Sequence, residues 1–259
     1  MNAWRRWREI RARFLILAII AAMAAGMVAA RTPPFVQQQL AGHTPAEQAY
    51  IRLHRIDSEW FGNKGPSVLL LIGAIFFTIG GVATEPGRGS TLFTLALPVT
   101  RRRVLLTQLG VALGLVACMG LIAAAAAVAG GAKVGASYPI APALVGVLVQ
   151  VISVAPFAAL IMALQTATRR AIPSALGLLG VALVGPPMAA DYLPEGAASR
   201  FFNEFDFPPM IAFEPQAGLH SLSGSALIAS VPWSLILVFL LITAVAAAFA
   251  IAVFERAEP

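Results

Sequence analysis

The chain has 259 residues, 59% of them hydrophobic and only 12% charged, with a mean hydropathy of +0.81. An ordinary soluble domain carries about 25% charged residues, so a water-facing fold of this size is excluded for want of polar surface. The net charge of +6 matters less than where the 18 Lys and Arg residues lie, and no nucleic-acid partner is expected.

The apolar residues come in runs of bilayer length rather than at amphipathic spacing. The predicted fold class is an all-α integral membrane protein: six transmembrane helices, preceded by an amphipathic interfacial N-terminal helix, with both termini cytoplasmic. One transmembrane domain covers 1–259.

The first 13 residues place Trp4, Trp7 and Ile10/Arg11 at helical spacing, with arginines on the other faces. This pattern predicts an interfacial helix over 1–13, anchored on an anionic inner leaflet through Trp4, Trp7 and Arg5. Val28-Ala29-Ala30 resembles a signal-peptide cleavage site, but the patterned tail favours a retained helix. The first span is predicted over about 14–30, with a small-residue stripe at Ala18, Ala22, Gly26 and Ala30. An external segment, 31–67, follows. In it Thr44-Pro45-Ala46-Glu47 reads as a capping box with proline at the first helical position. Ala49, Leu53, Ile56 and Trp60 would share one face of that helix, resting on the outer interface or meeting substrate or an accessory protein.

The second span is predicted over about 68–83 and the third over about 104–129, the latter with a stripe at Gly110, Gly114 and Cys118. The fourth covers about 144–166 and is interrupted by Pro156, which predicts a kink. The fifth covers about 172–190. External residues 191–230 mix aromatic and acidic side chains, and the last span covers about 231–254. No predicted span contains a charged side chain. Six spans put twelve of the eighteen basic residues on the side of the termini, and the positive-inside rule makes that side cytoplasmic.

Several chemistries fall away. All three histidines lie outside the apolar runs, and the one cysteine, Cys118, leaves no disulfide or cysteine metal site. No metal-ligand spacing and no nucleophile elbow occur; His220-Ser221-Leu222-Ser223-Gly224 is a polar loop. The absence of intramembrane charge disfavours an ion-coupled carrier.

The most informative segment is the loop at 84–103, cytoplasmic by the charge count. Ser90 or Thr91 can cap a short helix in which Leu92, Leu95 and Ala96 share a face, and Pro98 ends it. Arg102 and Arg103, beside Arg101, then anchor the entry to span three among lipid phosphates. An apolar helical face held under the membrane suits either the headgroups or a groove on a partner.

Glu85, Gly89-Ser90, the leucine-rich stretch 92–95 and Leu97-Pro98-Val99-Thr100-Arg101 together resemble the cytoplasmic signature of ABC-2 type transporter permeases. Phe254-Glu255-Arg256-Ala257-Glu258 is similar to the ending common in that family. Ser90 stands where the family usually has threonine, and Gln108 where a Gly-Lys pair often supplies lysine. The resemblance implies that 84–103 is a coupling loop docking on a separate ABC ATPase, with Glu85, Gly89, Ser90, Thr91, Leu92, Leu95, Pro98 and Arg101 as its coupling residues. It also implies a second permease subunit, as a homo- or heterodimer, in a bacterial inner membrane. The chain has no Gly-x4-Gly-Lys-Ser/Thr loop, so it is expected to bind no cofactor, with ATP and Mg2+ on the partner. A membrane-embedded lipid-modifying enzyme and a non-transporting scaffold are the competing expectations.

Overall fold

The computed structural model describes residues 3–30, 41–45, 47–48, 51, 64–79, 100–134, 140–170 and 233–256. The described residues are helical or in turns, with no strand among them. Among the described residues five helices form the bundle: α1 (Ala3–Ala30), α2 (Lys64–Thr78), α3 (Arg101–Lys133), α4 (Ile140–Thr168) and α5 (Trp233–Arg256). Four of them, α1, α3, α4 and α5, contain stretches long and apolar enough to cross a membrane. At 1.5 Å per residue they measure about 36–50 Å, whereas α2 measures about 22 Å.

Several boundaries differ from the sequence expectation; the third span's helix runs Arg101–Lys133 rather than 104–129 and so takes Arg101, Arg102 and Arg103 out of the expected loop into its first turn. The interfacial helix and the first span are one unbroken helix, with no turn near Arg13. No glycine or proline interrupts it before Gly26, and Ile10, Phe14 and Ala18 continue a single buried stripe through the expected junction. The second span begins at Lys64, ahead of the expected start, and its helix closes at Thr78, with Ile79 in a bend. Closure there has two visible causes: a pair of weak helix formers, Gly80-Gly81, comes next, and the Thr78 carbonyl accepts a hydrogen bond from Gln108 Nε2 at 3.0 Å. The fourth span's helix continues through Pro156. The fifth span, 172–190, lies outside the described residues.

Side-chain size sorts in the sense expected for helices in lipid. On α1 the buried residues are Ile10, Phe14, Ala18, Ala21, Ala25 and Ala29, while Leu15, Ile16, Ile19, Ile20, Met23 and Met27 face outward. Small residues let backbones approach, and hydrocarbon chains solvate the large side chains at no cost. The closest approach is between α1 and α3. An added Cβ on Gly130 would lie 2.8 Å from the Gly26 carbonyl oxygen and 3.0 Å from the Ala29 Cβ. Helix α4 is the central element: residues 153–159, Pro156 included, are buried on every face.

Contacts fix the direction of each helix. Leu70 of α2 lies beside Gly120 of α3, and Thr78 beside Gln108, so the two run antiparallel. Arg13 of α1 reaches Phe76 near the end of α2, and Gly26 lies against Ala126, so α1 runs parallel to α3. Val147 of α4 also touches the Gly120 position. The six-residue link from Lys133 to Ile140 spans at most about 25 Å, too short for a parallel pair at that register, so α4 returns antiparallel. Helix α5 ends where α3 begins, with Arg101 bonded to the Phe254 carbonyl.

Helices α4 and α5 therefore pack against each other in parallel, both ending beside the start of α3. Arg170 and Trp233 accordingly lie at opposite ends of the bundle. The starts of α1 and α3 and the ends of α2, α4 and α5 share one end, which carries Arg8, Arg11, Arg13, Arg101, Arg102, Arg103, Arg169, Arg170 and Arg256. Lys64 and Lys133 lie at the far end.

Away from the bundle, the capping box forms as the spacing predicts. The Thr44 amide donates to Glu47 Oε2 at 2.8 Å, the Thr44 hydroxyl donates to the same oxygen at 2.9 Å, and the Glu47 amide donates back to Thr44 Oγ1 at 3.4 Å. These bonds to Thr44, backbone first, hold the Glu47 carboxyl below its ordinary value, with His43 assisting.

Candidate functional site

The arginine end is where the loop at 84–103 must join the bundle, because α2 ends and α3 begins there. Of the expected coupling residues, Glu85, Gly89, Ser90, Thr91, Leu92, Leu95 and Pro98 lie outside the described residues. Arg101 is described, as are both helices that bracket the loop.

Thr100 opens α3 as its N-cap, in extended conformation, with its hydroxyl oxygen accepting from the Arg103 amide at 3.4 Å. Arg101, Arg102 and Arg103 then fill the first turn, which contains no acidic residue. Positive charge is unfavourable at a helix N-terminus, so these arginines answer to something other than their own helix. For Arg101 that partner is α5. Its Nη1 donates to the Phe254 carbonyl at 3.0 Å and to the Glu255 carbonyl at 3.4 Å, and its guanidinium lies 5.8 Å from the centre of the Phe254 ring. The last carbonyls of a helix carry the negative end of its dipole, so a cation placed there is stabilising. Arg102 and Arg103 are exposed.

A second arginine reaches the end of α2. Arg13 Nη1 donates to the Phe76 carbonyl at 3.3 Å, and Gln108 takes the Thr78 carbonyl two residues on. Thr78 also returns its own hydroxyl to the Ala74 carbonyl at 2.7 Å. An aromatic chain fastens α1 to the same place. Trp7 meets Phe14 edge-on at 5.6 Å between ring centres, and Phe14 meets the buried Phe77 at 6.0 Å. Trp7, expected as a surface anchor, is thus half-buried against the bundle. Trp4 and Arg5 fall in the first turn of α1.

Sequence reasoning missed Gln108 and Phe254 as partners in this arrangement. Gln108 is a polar residue within an apolar run and 1% exposed, which is a signal that it bonds to something. Phe254 carried only its place in a tail pattern. Nothing local announces that it would meet Arg101 across 153 residues.

Chemically, the described residues at this end offer fixed cations and capped helix ends. Among the described residues no group of three His, Cys, Asp or Glu side chains could hold a metal ion. The interior polar residues are mostly self-satisfied, with Ser153, Thr166 and Thr243 each bonding a carbonyl one turn back. Gln165 differs: it is 1% exposed, and neither polar atom of its amide has a hydrogen bond.

No protein-family model, no curated protein and no solved structure matches this chain.

Proposed function

We propose that the chain is the membrane-spanning subunit of an ABC-2 type exporter in a bacterial cytoplasmic membrane. It would pair with a second permease subunit and draw energy from a separate ATPase that binds ATP and Mg2+. The observation that carries this reading is the run Glu85, Gly89-Ser90, Leu92, Leu95 and Leu97-Pro98-Val99-Thr100-Arg101 in the loop between the second and third spans. Two features support it. Helices α2 and α3 bring both ends of that loop to the arginine-bearing end of the bundle, which the positive-inside rule makes cytoplasmic. The placement of Arg170 and Trp233 at opposite ends fits a crossing at 172–190, which brings the spans to six.

The substrate class that fits is amphipathic or hydrophobic: a drug, a peptide or a lipid-like compound. The interior is alanine, valine, leucine and phenylalanine with a few amides and hydroxyls, and a small gap between α1, α2, α3 and α4 is lined by Ala21, Leu69, Leu70, Gly120, Ala123, Val147 and Gln150. Such a lining offers apolar contact and occasional hydrogen bonds but no ion coordination.

Purification of the tagged protein from its own host in mild detergent tests the reading. An ATPase subunit in equal amount, with vanadate-sensitive hydrolysis, is expected to copurify. Making Leu92 and Leu95 polar, or Glu85→Ala, is expected to weaken that association or uncouple it while membrane insertion continues. A protein that emerges alone overturns the permease assignment.

A further inference from the structure

The loop between α2 and α3 is held at both ends by side chains that bond the carbonyls of helix termini. At its entry, Arg13 of α1 and Gln108 of α3 occupy the Phe76 and Thr78 carbonyls. At its exit, Arg101 occupies the Phe254 and Glu255 carbonyls of α5. Arg101 follows the α3 cap directly, so it opens the first turn of that helix.

Three features single out Arg101. First, its charge has the wrong sign for the helix it belongs to and the right sign for the helix it touches. Second, a planar guanidinium can stack on the Phe254 ring while its N–H groups reach the carbonyls beside it, a combination a lysine ammonium cannot reproduce. Third, among the described helices α5 packs mainly on α4 and less on α3, and the Arg101 bonds join α3's first turn to the end of α5. The two stretches that resembled one family for separate reasons, the loop exit and the tail, thereby touch.

We propose that Arg101 is the positioning residue that couples the first turn of α3 to the end of α5, so that movement of that turn reaches α5 and, through α5, the central helix α4. The proposal rests on the permease reading and goes beyond it. It places the Arg101 side chain inside the membrane subunit, as a link between its third and last spans, rather than at the ATPase surface.

The test uses the complex with its copurified ATPase, in lipid vesicles. Spin labels replace Ile19 and Val245, two exposed positions on α1 and α5, in a Cys118→Ala background. The label-to-label distance is measured without nucleotide and after trapping with ATP and vanadate. In the otherwise unaltered complex, trapping is expected to shift that distance. Phe254→Leu, which lies outside the expected coupling loop, is expected to retain the ATPase and its hydrolysis but reduce the shift, Arg101→Gln to lose it, and Arg101→Lys to recover part of it. A shift that survives in Arg101→Gln overturns the proposal while leaving the permease reading standing. Absence of a copurifying ATPase from the unaltered chain overturns both, and is read separately at the purification step. Thermal unfolding of the single and double variants adds a readout independent of nucleotide. Arg101→Gln and Phe254→Leu are expected to be non-additive, and simple additivity counts against the link.

Discussion

Gln165 is the least settled side chain in the described bundle. A buried amide with neither end bonded costs about 1–3 kcal/mol relative to a bonded one, and an apolar residue of similar size avoids the cost. Gln165→Leu is therefore expected to raise the thermal midpoint of the detergent-solubilised protein. A fall instead would mean that the amide finds bonds in the assembled complex. Gln108 has the opposite standing, because it holds the α2 terminus, and the two glutamines could not have been told apart from sequence. Both interrupt apolar runs near the same end, and only the direction of each side chain separates a cap from an orphan. The capping box at Thr44 and Glu47 was legible because all of its bonds are local, three residues apart. Arg101 was singled out by a motif, yet its bonds to Phe254 and Glu255 were not legible, since they join residues far apart in the chain.

Among the helices, existence was easier to read than facing. Four long apolar runs became four long helices, because a run without charge or strong breakers has no competing local structure in lipid. Which face packs was hidden, since a helix apolar all round carries no amphipathic signal. On α1 the expected stripe of Ala18, Ala22, Gly26 and Ala30 lies beside the buried line of Ala18, Ala21, Ala25 and Ala29. On α3 the expected stripe faces outward: an added Cβ at Gly110 or Gly114 meets nothing within 4 Å, and Cys118 is exposed. The packing face there runs through Ala112, Val116, Ala123, Ala127 and Gly130. The contrast gives a paired prediction for the isolated subunit. Gly130→Ala forces α1 and α3 apart and is expected to cost about 1–3 kcal/mol. Gly114→Ala is expected to be neutral, or to gain up to about 1 kcal/mol in helix propensity. Thermal unfolding of both variants checks it, and equal effects would contradict the packing described.

For the whole molecule, the parallel packing of α4 and α5 sets the topology. In a Cys118→Ala background, a membrane-impermeant maleimide added to intact cells is expected to label Trp233→Cys and to spare Arg170→Cys. In inverted vesicles the pattern should reverse, and labelling of both from one side would refute the arrangement. The six-span expectation came from hydropathy and charge count, but the order in which spans neighbour one another could not, because apolar runs of equal greasiness carry no address. The bonds from Arg101 to Phe254 and Glu255 bear on how the protein is made. They close a ring of 153 residues without a covalent bond, and they cannot form before those last residues leave the ribosome. During synthesis the α4 surface that α5 covers must therefore stay open until α5 itself has been made.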